Sequence, residues 1–207
     1  MIFCDICKKN TNFISHRDIP NRKCSECKSL ERHRNLFKYL ENNNLISNKK
    51  ILHIAPEKCL VDILNQESHT YISIDKTYQK DRRFMSKLDI TDLSIFSNDY
   101  FDLVICFHVM EHIQNDILVI NEIKRIIRNS GIMILSVPIS GESTYTWPEE
   151  KINLEKINQS WGIPGKYDGH YRTYGYKDLT SLLNKYFFSI ELSDNLMTSE
   201  EFFICTK

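Results

Sequence analysis

The sequence predicts an α/β fold: a doubly wound, largely parallel sheet with helices on both faces, preceded by a small four-cysteine module. Two features lead to this reading. From residue 49 onward, short apolar runs alternate with stretches of helical periodicity. Before that, the first thirty residues hold two C-x2-C pairs and little apolar material.

Cys4 and Cys7 form the first pair and Cys24 and Cys27 the second, with sixteen residues between them. Each pair can supply two sulfurs from one tight turn, and two turns complete a tetrahedron around zinc. Residues 1–30 carry few large apolar groups, among them Ile2, Phe3, Phe13, Ile14 and Ile19. So short a segment packs no stable core unaided, and a bound metal would supply the missing folding energy. Four thiolates close the coordination shell, which makes such a zinc structural.

Residues 31–48 read as a connecting helix. Ser29 is placed to cap it, Leu30, Leu36, Phe37 and Leu40 give an apolar stripe, and the asparagines at 42–44 end it. The "ERHR" at 31–34 offers a phosphate contact or, more plainly, a solvated face against the cysteine module.

The main domain, 49–207, follows. "KKILHIA" suits a buried parallel strand. "CLVDILNQ" is helical, "TYISID" is a second strand ending at Asp75, and "FMSKLD" is a weak third ending at Asp89. "YFDLVICFHV" is a long fourth strand. "DILVINEIKRIIRN" is an amphipathic helix with Lys124, Arg125 and Arg128 near its C-terminus, stopped by Gly131. "GIMILSVPI" is a fifth strand, "YGYKDLTSLLNKY" a helix, and "FFSIELSD" and "EFFICTK" are the last two strands. Between them, 140–170 form a polar, aromatic-rich insertion without apolar periodicity, as a lid would.

Ligands of such sheets bind at the carboxyl ends of the strands. There the first strand runs into "HIAPE", a loop with no glycine. Ala55 is small enough for close backbone approach, and Pro56 presets φ for a turn or first helical residue. Asp75 lies 22 positions after His53, near the spacing of a ribose-binding carboxylate. Glu57, at a helix N-terminus, would repel a pyrophosphate and suits a cofactor with a positive reactive end. Each residue also has a plainer reading: Asp75 and Asp89 as turn caps, and His53 as a hydrogen-bonded core histidine. His108, Glu111 and His112 fall at i, i+3 and i+4, a spacing open to a divalent cation or to a merely structural His112. Cys59, Cys106 and Cys205 lie in apolar runs and read as core.

The combination resembles the class I S-adenosylmethionine-dependent methyltransferases, over about residues 49–207. "FDLVICFHVMEHI" is similar to that family's fourth strand and the turn after it. "KRIIRNSGIMILSVP" is similar to its next helix, Gly turn and strand, and the last two strands to its reversed hairpin. Within the family, the chain looks like a subgroup pairing a four-Cys ribbon and "SLERHR" with "HIAPE" and "HYRTYG". It departs from the wider pattern in having His53 for the usual acidic residue and no Gly-x-Gly. The resemblance implies a Rossmann-like methyltransferase sheet. It implies that His53, Ala55 and Glu57 line the methionine part of S-adenosylmethionine, with Glu57 on its ammonium. Asp75 would take the ribose hydroxyls, Asp89 and the Ile90 backbone the adenine, and Phe107 and His108 would flank the transferred methyl.

In this fold the 140–170 insertion covers the active site. It and the residues just after it bring Tyr145, Trp147, Trp161, Tyr167, His170, Tyr171, Arg172 and Tyr174 as acceptor-side candidates. For a hydroxyl acceptor, His108 and His170 are the candidate bases. For an anionic acceptor, Arg172 and a protonated His170 are binding groups. Otherwise Tyr171 and Tyr174 are packing residues and Arg172 pairs with an acid.

Lys+Arg and Asp+Glu both number 27, which counts against a polyanionic partner. No apolar run reaches the ~18 residues of a membrane span, and the N-terminus lacks the apolar stretch of a secretory signal. The expectation is a soluble cytoplasmic enzyme acting on a small-molecule acceptor, at oxygen rather than at nitrogen or carbon. The alternatives are an RNA methyltransferase docking through its ribbon, a non-catalytic zinc-ribbon protein, and a nicotinamide dehydrogenase, the last opposed by Glu57.

Overall fold

The computed structural model describes residues 1–76, 85–148, 169–193 and 202–207. The N-terminal module is two β-hairpins. β1 (Ile2–Cys4) pairs with β2 (Lys9–Thr11), and β3 (Phe13–His16) with β4 (Ile19–Cys24). Each C-x2-C pair sits in a turn of the same form. Lys8 N–H donates to the Cys4 carbonyl at 2.8 Å and Lys28 N–H to the Cys24 carbonyl at 3.1 Å. Both lysines have left-handed backbone, φ 53° and 63°.

Helix α1 (Glu31–Asn42) follows and ends at the first residue of the asparagine run. Ser29 does not cap it. The Leu30 N–H instead donates to His33 Nδ1 at 3.2 Å, because the Ser29 hydroxyl faces the cysteine sulfurs. The "ERHR" segment contacts the module: Glu31 pairs with Arg22 at 3.0 Å, and the Arg34 guanidinium lies 4.5 Å from the Phe13 ring centroid.

The sheet strands are β5 (Lys50–Ile54), β6 (Thr70–Asp75), β7 (Met85–Lys87), β8 (Phe101–Phe107), β9 (Ile127–Ser136), β12 (Ser189–Leu192) and β13 (Phe203–Thr206). Two short strands, β10 (Tyr145–Thr146) and β11 (Arg172–Thr173), lie outside it. The seven-stranded order is β12-β13-β9-β8-β5-β6-β7. β7, β6, β5, β8 and β9 run parallel, while β13 is antiparallel to both β9 and β12. This is a doubly wound sheet with a reversed terminal hairpin, and the order turns between β5 and β8, where such sheets open a crevice.

Alternation along the buried strands sends side chains to two cores. Ile51 of β5 and Leu103, Ile105 and Phe107 of β8 face α1 and helix α2 (Lys58–Glu67). The module's Cys4, Ile6 and Cys24 belong to this same core, so the hairpins are packed onto the sheet domain. Leu52, Ile54, Val104 and Cys106 face helices α3 (Asp116–Ile126) and α4 (Tyr176–Leu183) on the other side. Helix α3 is capped by the Asn115 side chain, which accepts from Leu118 N–H at 3.1 Å. It ends at Ile126, short of the 129 that periodicity suggests. Ile127 already pairs with Phe101 in β9, and residues 128–131 form an irregularity inside that strand.

Candidate active site

The C-terminal ends of β5, β6, β8 and β9 converge on one edge of the sheet. Ile54 is level with Ile74, so Ala55 and Asp75 stand side by side on neighbouring strands, and Ala55 N–H donates to the Ile74 carbonyl at 2.8 Å. Ala55 has φ 49°, a left-handed conformation that turns the chain sharply out of the strand. A small side chain in a left-handed turn stands where such loops usually carry glycine. Asp75 is buried at the strand end.

His53 and Glu57 form a couple behind this loop. His53 is fully buried; its Nδ1 lies 2.9 Å from the Tyr71 hydroxyl and its Nε2 2.7 Å from Glu57 Oε2. Burial alone would raise the Glu57 carboxyl, but the bond and charge of His53 outweigh it and hold the group down at about 2. The loop acid is therefore a fixed carboxylate.

Asp89 follows β7. Its Oδ1 accepts from Thr91 N–H at 3.0 Å and the Thr91 hydroxyl at 2.8 Å, while Oδ2 lies 3.1 Å from the exposed Lys76 ammonium. Asp89 thus builds the turn that presents the Ile90 backbone. The following segment is fastened to α3: Leu93 N–H donates to Glu122, and Arg125 donates to the Leu93 and Phe96 carbonyls.

At the end of β8 the Phe107 ring is buried against Phe202, with centroids 5.9 Å apart. His108 comes next, with φ 53°, its N–H bonded to the Ser136 carbonyl at 2.8 Å and its side chain 23% exposed. A 3₁₀ turn, Met110–His112, brings Glu111 under it: His108 Nδ1 lies 3.6 Å from Glu111 Oε1. Glu111 is 1% exposed. Burial would raise its carboxyl, but His108 and His112 hold it below its ordinary value.

The two ends of the insertion meet beside this turn. β10 pairs with β11, and Trp147 N–H donates to the Tyr171 carbonyl at 2.8 Å. Tyr145 and Trp147 stack edge to face at 4.6 Å. Tyr171 N–H donates to the Glu111 carbonyl at 2.8 Å, which sets His170 against His112 with ring centroids 4.6 Å apart. His108 and His170, distant in sequence, therefore flank one carboxylate. Arg172 does not join them. It is buried, its guanidinium paired with Asp116 and donating to the Gln114 carbonyl, and the Tyr174 hydroxyl donates to the same Asp116 at 2.8 Å. The acid-pairing reading of Arg172 describes these contacts, and a freely presented anion-binding guanidinium does not. Residues 149–168, with Trp161 and Tyr167 and most of the expected lid, lie outside the described residues.

Four sulfurs form the second cluster. Cys4 and Cys27 Sγ are 3.6 Å apart and Cys7 and Cys24 Sγ 3.9 Å, with all four within 4.8 Å of one another. Sequence reasoning missed Ser29, whose Oγ lies 3.1 Å from Cys27 and 3.6 Å from Cys4. Its position two residues after the last cysteine was the available signal. Asp116, the anchor for Arg172 and Tyr174, was also missed.

The model of a methyltransferase domain matches residues 30–192. The chain belongs to the methyltransferase family. It is an S-adenosylmethionine-dependent methyltransferase of class I, and the match leaves the cysteine module outside. A methyltransferase from Archaeoglobus fulgidus shares the fold at 12% identity, covering 86% of this chain and 95% of its own, with a TM-score of 0.59. The Burkholderia thailandensis 1,6-didemethyltoxoflavin-N1-methyltransferase, solved with S-adenosylhomocysteine, is 13% identical, with 85% and 77% covered and a TM-score of 0.59. The YcgJ protein of Bacillus subtilis is 14% identical, with 78% and 71% covered and a TM-score of 0.57. No curated protein matches the sequence. Among the described residues, no helix is long and apolar enough to cross a membrane.

The strand ends of this methyltransferase fit its cofactor. The Ala55 turn lets the backbone approach a ligand, and the Asp75 carboxylate stands on the adjacent strand, as a ribose partner must.

Proposed function

We propose that this methyltransferase acts on an oxygen of a small-molecule acceptor, with His108 as the base. The observation that carries the reading is the Nε2 of His108, a buried atom without a partner among the described residues, on a side chain still partly open to solvent at the end of β8. S-adenosylmethionine supplies an electrophilic methyl on a sulfonium. With it bound, Asp75 would hold the ribose hydroxyls, Asp89 and the Ile90 backbone would meet the adenine, and the Ala55 turn with Glu57 would face the methionine ammonium. The Phe107 backbone contributes to the wall beside the methyl.

His108 Nε2 takes the hydroxyl proton of the acceptor. S-adenosylmethionine, when bound, would supply the methyl group to the oxygen so activated. Tyr145, Trp147 and Tyr171, at the two described ends of the insertion, wall the acceptor and exclude water. Arg172 acts at one remove, tying β11 to the start of α3 and so fixing His170.

Residues 1–30 form a structural zinc ribbon on Cys4, Cys7, Cys24 and Cys27. Four sulfurs within 4.8 Å cannot all ionise without a cation to offset their repulsion, and the Ser29 hydroxyl lies within donating distance of two of them. The 31–48 segment joins this ribbon to the 49–207 catalytic domain.

Release of S-adenosylhomocysteine, measured over a panel of hydroxylated sugars, phenols, amines and carboxylates, tests the acceptor class. Turnover confined to amines would overturn the oxygen reading.

A further inference from the structure

Beside the base lies a second donor set. Glu111, His112 and His170 each offer one ligand atom, and these atoms lie within 4.8 Å of one another. The set is two imidazoles and a carboxylate, which suits divalent first-row cations and leaves coordination positions open. It draws on two chain segments, the turn after β8 and the end of the insertion, held together by the Tyr171 N–H bond to the Glu111 carbonyl.

Two independent details point to a cation. The first is the orientation of His112. Its Nδ1 lies 3.0 Å from the Gly169 carbonyl, which can only accept, so Nδ1 carries the proton. The lone pair of the neutral ring is then on Nε2, 3.9 Å from Glu111 Oε1. That distance is too long for a hydrogen bond, and a cation between the two atoms would be bound by both. A carbonyl holding the far nitrogen is also how metal-ligating histidines are commonly oriented. The second is Glu111 Oε2, a buried carboxylate oxygen with no hydrogen-bond partner among the described residues. A buried carboxylate oxygen left unpaired is costly, and a metal ion would satisfy it.

We propose that Glu111, His112 and His170 bind one divalent cation, which holds and polarises the acceptor oxygen. The inference rests on the methyltransferase reading for its role, but not for the binding itself. The open positions favour an acceptor with two adjacent oxygens, such as a vicinal diol, a catechol or an α-hydroxy acid, able to chelate the ion beside the methyl donor. On this assignment His170 is a metal ligand, and His108 alone remains as base.

The test is titration calorimetry of the zinc-loaded chain with MnCl2 and with CoCl2, supported by Mn2+ electron paramagnetic resonance. Hard Mn2+ discriminates against the four-thiolate site. One equivalent should bind, with affinity falling at least tenfold in Glu111→Gln and in His170→Asn. The second variant keeps the test sound if the first misfolds, because His170 is only partly buried. No uptake of either ion, or uptake equal in wild type and both variants, overturns the site. S-adenosylhomocysteine titrated into the same samples separates the two readings. Its binding without Mn2+ or Co2+ uptake removes the metal alone, and its failure beside normal metal uptake removes the methyltransferase role alone.

Discussion

His53 Nε2 and Glu57 Oε2 stand 2.7 Å apart across the first loop of the sheet, both withdrawn from solvent. The pair converts a loop without glycine into a rigid, negatively charged rim. Its contribution to stability has a definite sign. The Glu57 carboxyl falls from its ordinary 4.5 to about 2 on folding, so the stabilisation is complete above pH 4.5 and is lost as pH falls toward 2. At ~1.4 kcal/mol per unit it amounts to at most about 3.5 kcal/mol. Urea unfolding from pH 7 to pH 3 should therefore show a shallower loss of stability in Glu57→Gln than in wild type below pH 4.5. Parallel curves would remove the ion pair from the account.

Asp75 lies level with the Ala55 turn on the adjacent strand. Asp75→Ala should weaken S-adenosylmethionine binding by about 1–3 kcal/mol, the cost of leaving ribose hydroxyls without their acceptor. Calorimetry measures this directly, and NADH titrated in parallel should show no binding. Equal affinity in the variant would place the ribose elsewhere.

Much of this architecture was legible because burial imposes simple patterns. "TYISID" coincides with β6, Thr70–Asp75, since its β-branched and aromatic residues favour a strand and Asp75 closes it. The end of α3 was less legible. Ile126 and Ile127 continue a helical period, yet Ile127 has already joined the sheet, and only pairing with Phe101 decides the matter. The two cysteine pairs announced their cluster through spacing alone. Ser29 was misjudged because its position suits a helix cap as well as it suits the sulfurs, and only the folded turn settles which it serves. Arg172 shows the same limit: no local pattern in "HYRTYG" reveals that its guanidinium is bound by Asp116 from another element.

The ribbon's metal should be one zinc per chain. Chelation with a strong zinc chelator, or Cys24→Ser, should remove it and lower the melting temperature, because Cys4, Ile6 and Cys24 belong to the core shared with α1 and β5. Unchanged zinc content by elemental analysis in Cys24→Ser would sink the assignment.

The Arg172–Asp116 pair is nearly removed from water on both sides. Breaking such a pair strands a buried charge, so Arg172→Ala should destabilise the chain by about 3–5 kcal/mol. The double variant with Asp116→Asn should lose less than the two single losses combined, since the partners are coupled. Additive losses in urea unfolding would show that the two residues act separately.

The last prediction separates chemistry from folding at His108. This residue holds a left-handed backbone, φ 53°, at the end of β8. Asparagine tolerates that conformation better than most residues, so His108→Asn preserves the turn while removing the imidazole. Glu111 Oε1 then loses its 3.6 Å contact, but the Ser136 and Tyr171 backbone bonds that shape the site remain. Loss of a general base costs about 10²–10⁴ in rate. Hence kcat should fall within that range, while calorimetric affinity for S-adenosylmethionine and the melting temperature stay close to wild type. The fall should also shrink for acceptors whose hydroxyl is already acidic, because they need less help to lose a proton. A kcat within a few-fold of wild type across all acceptors would show that His108 shapes the strand end and takes no proton.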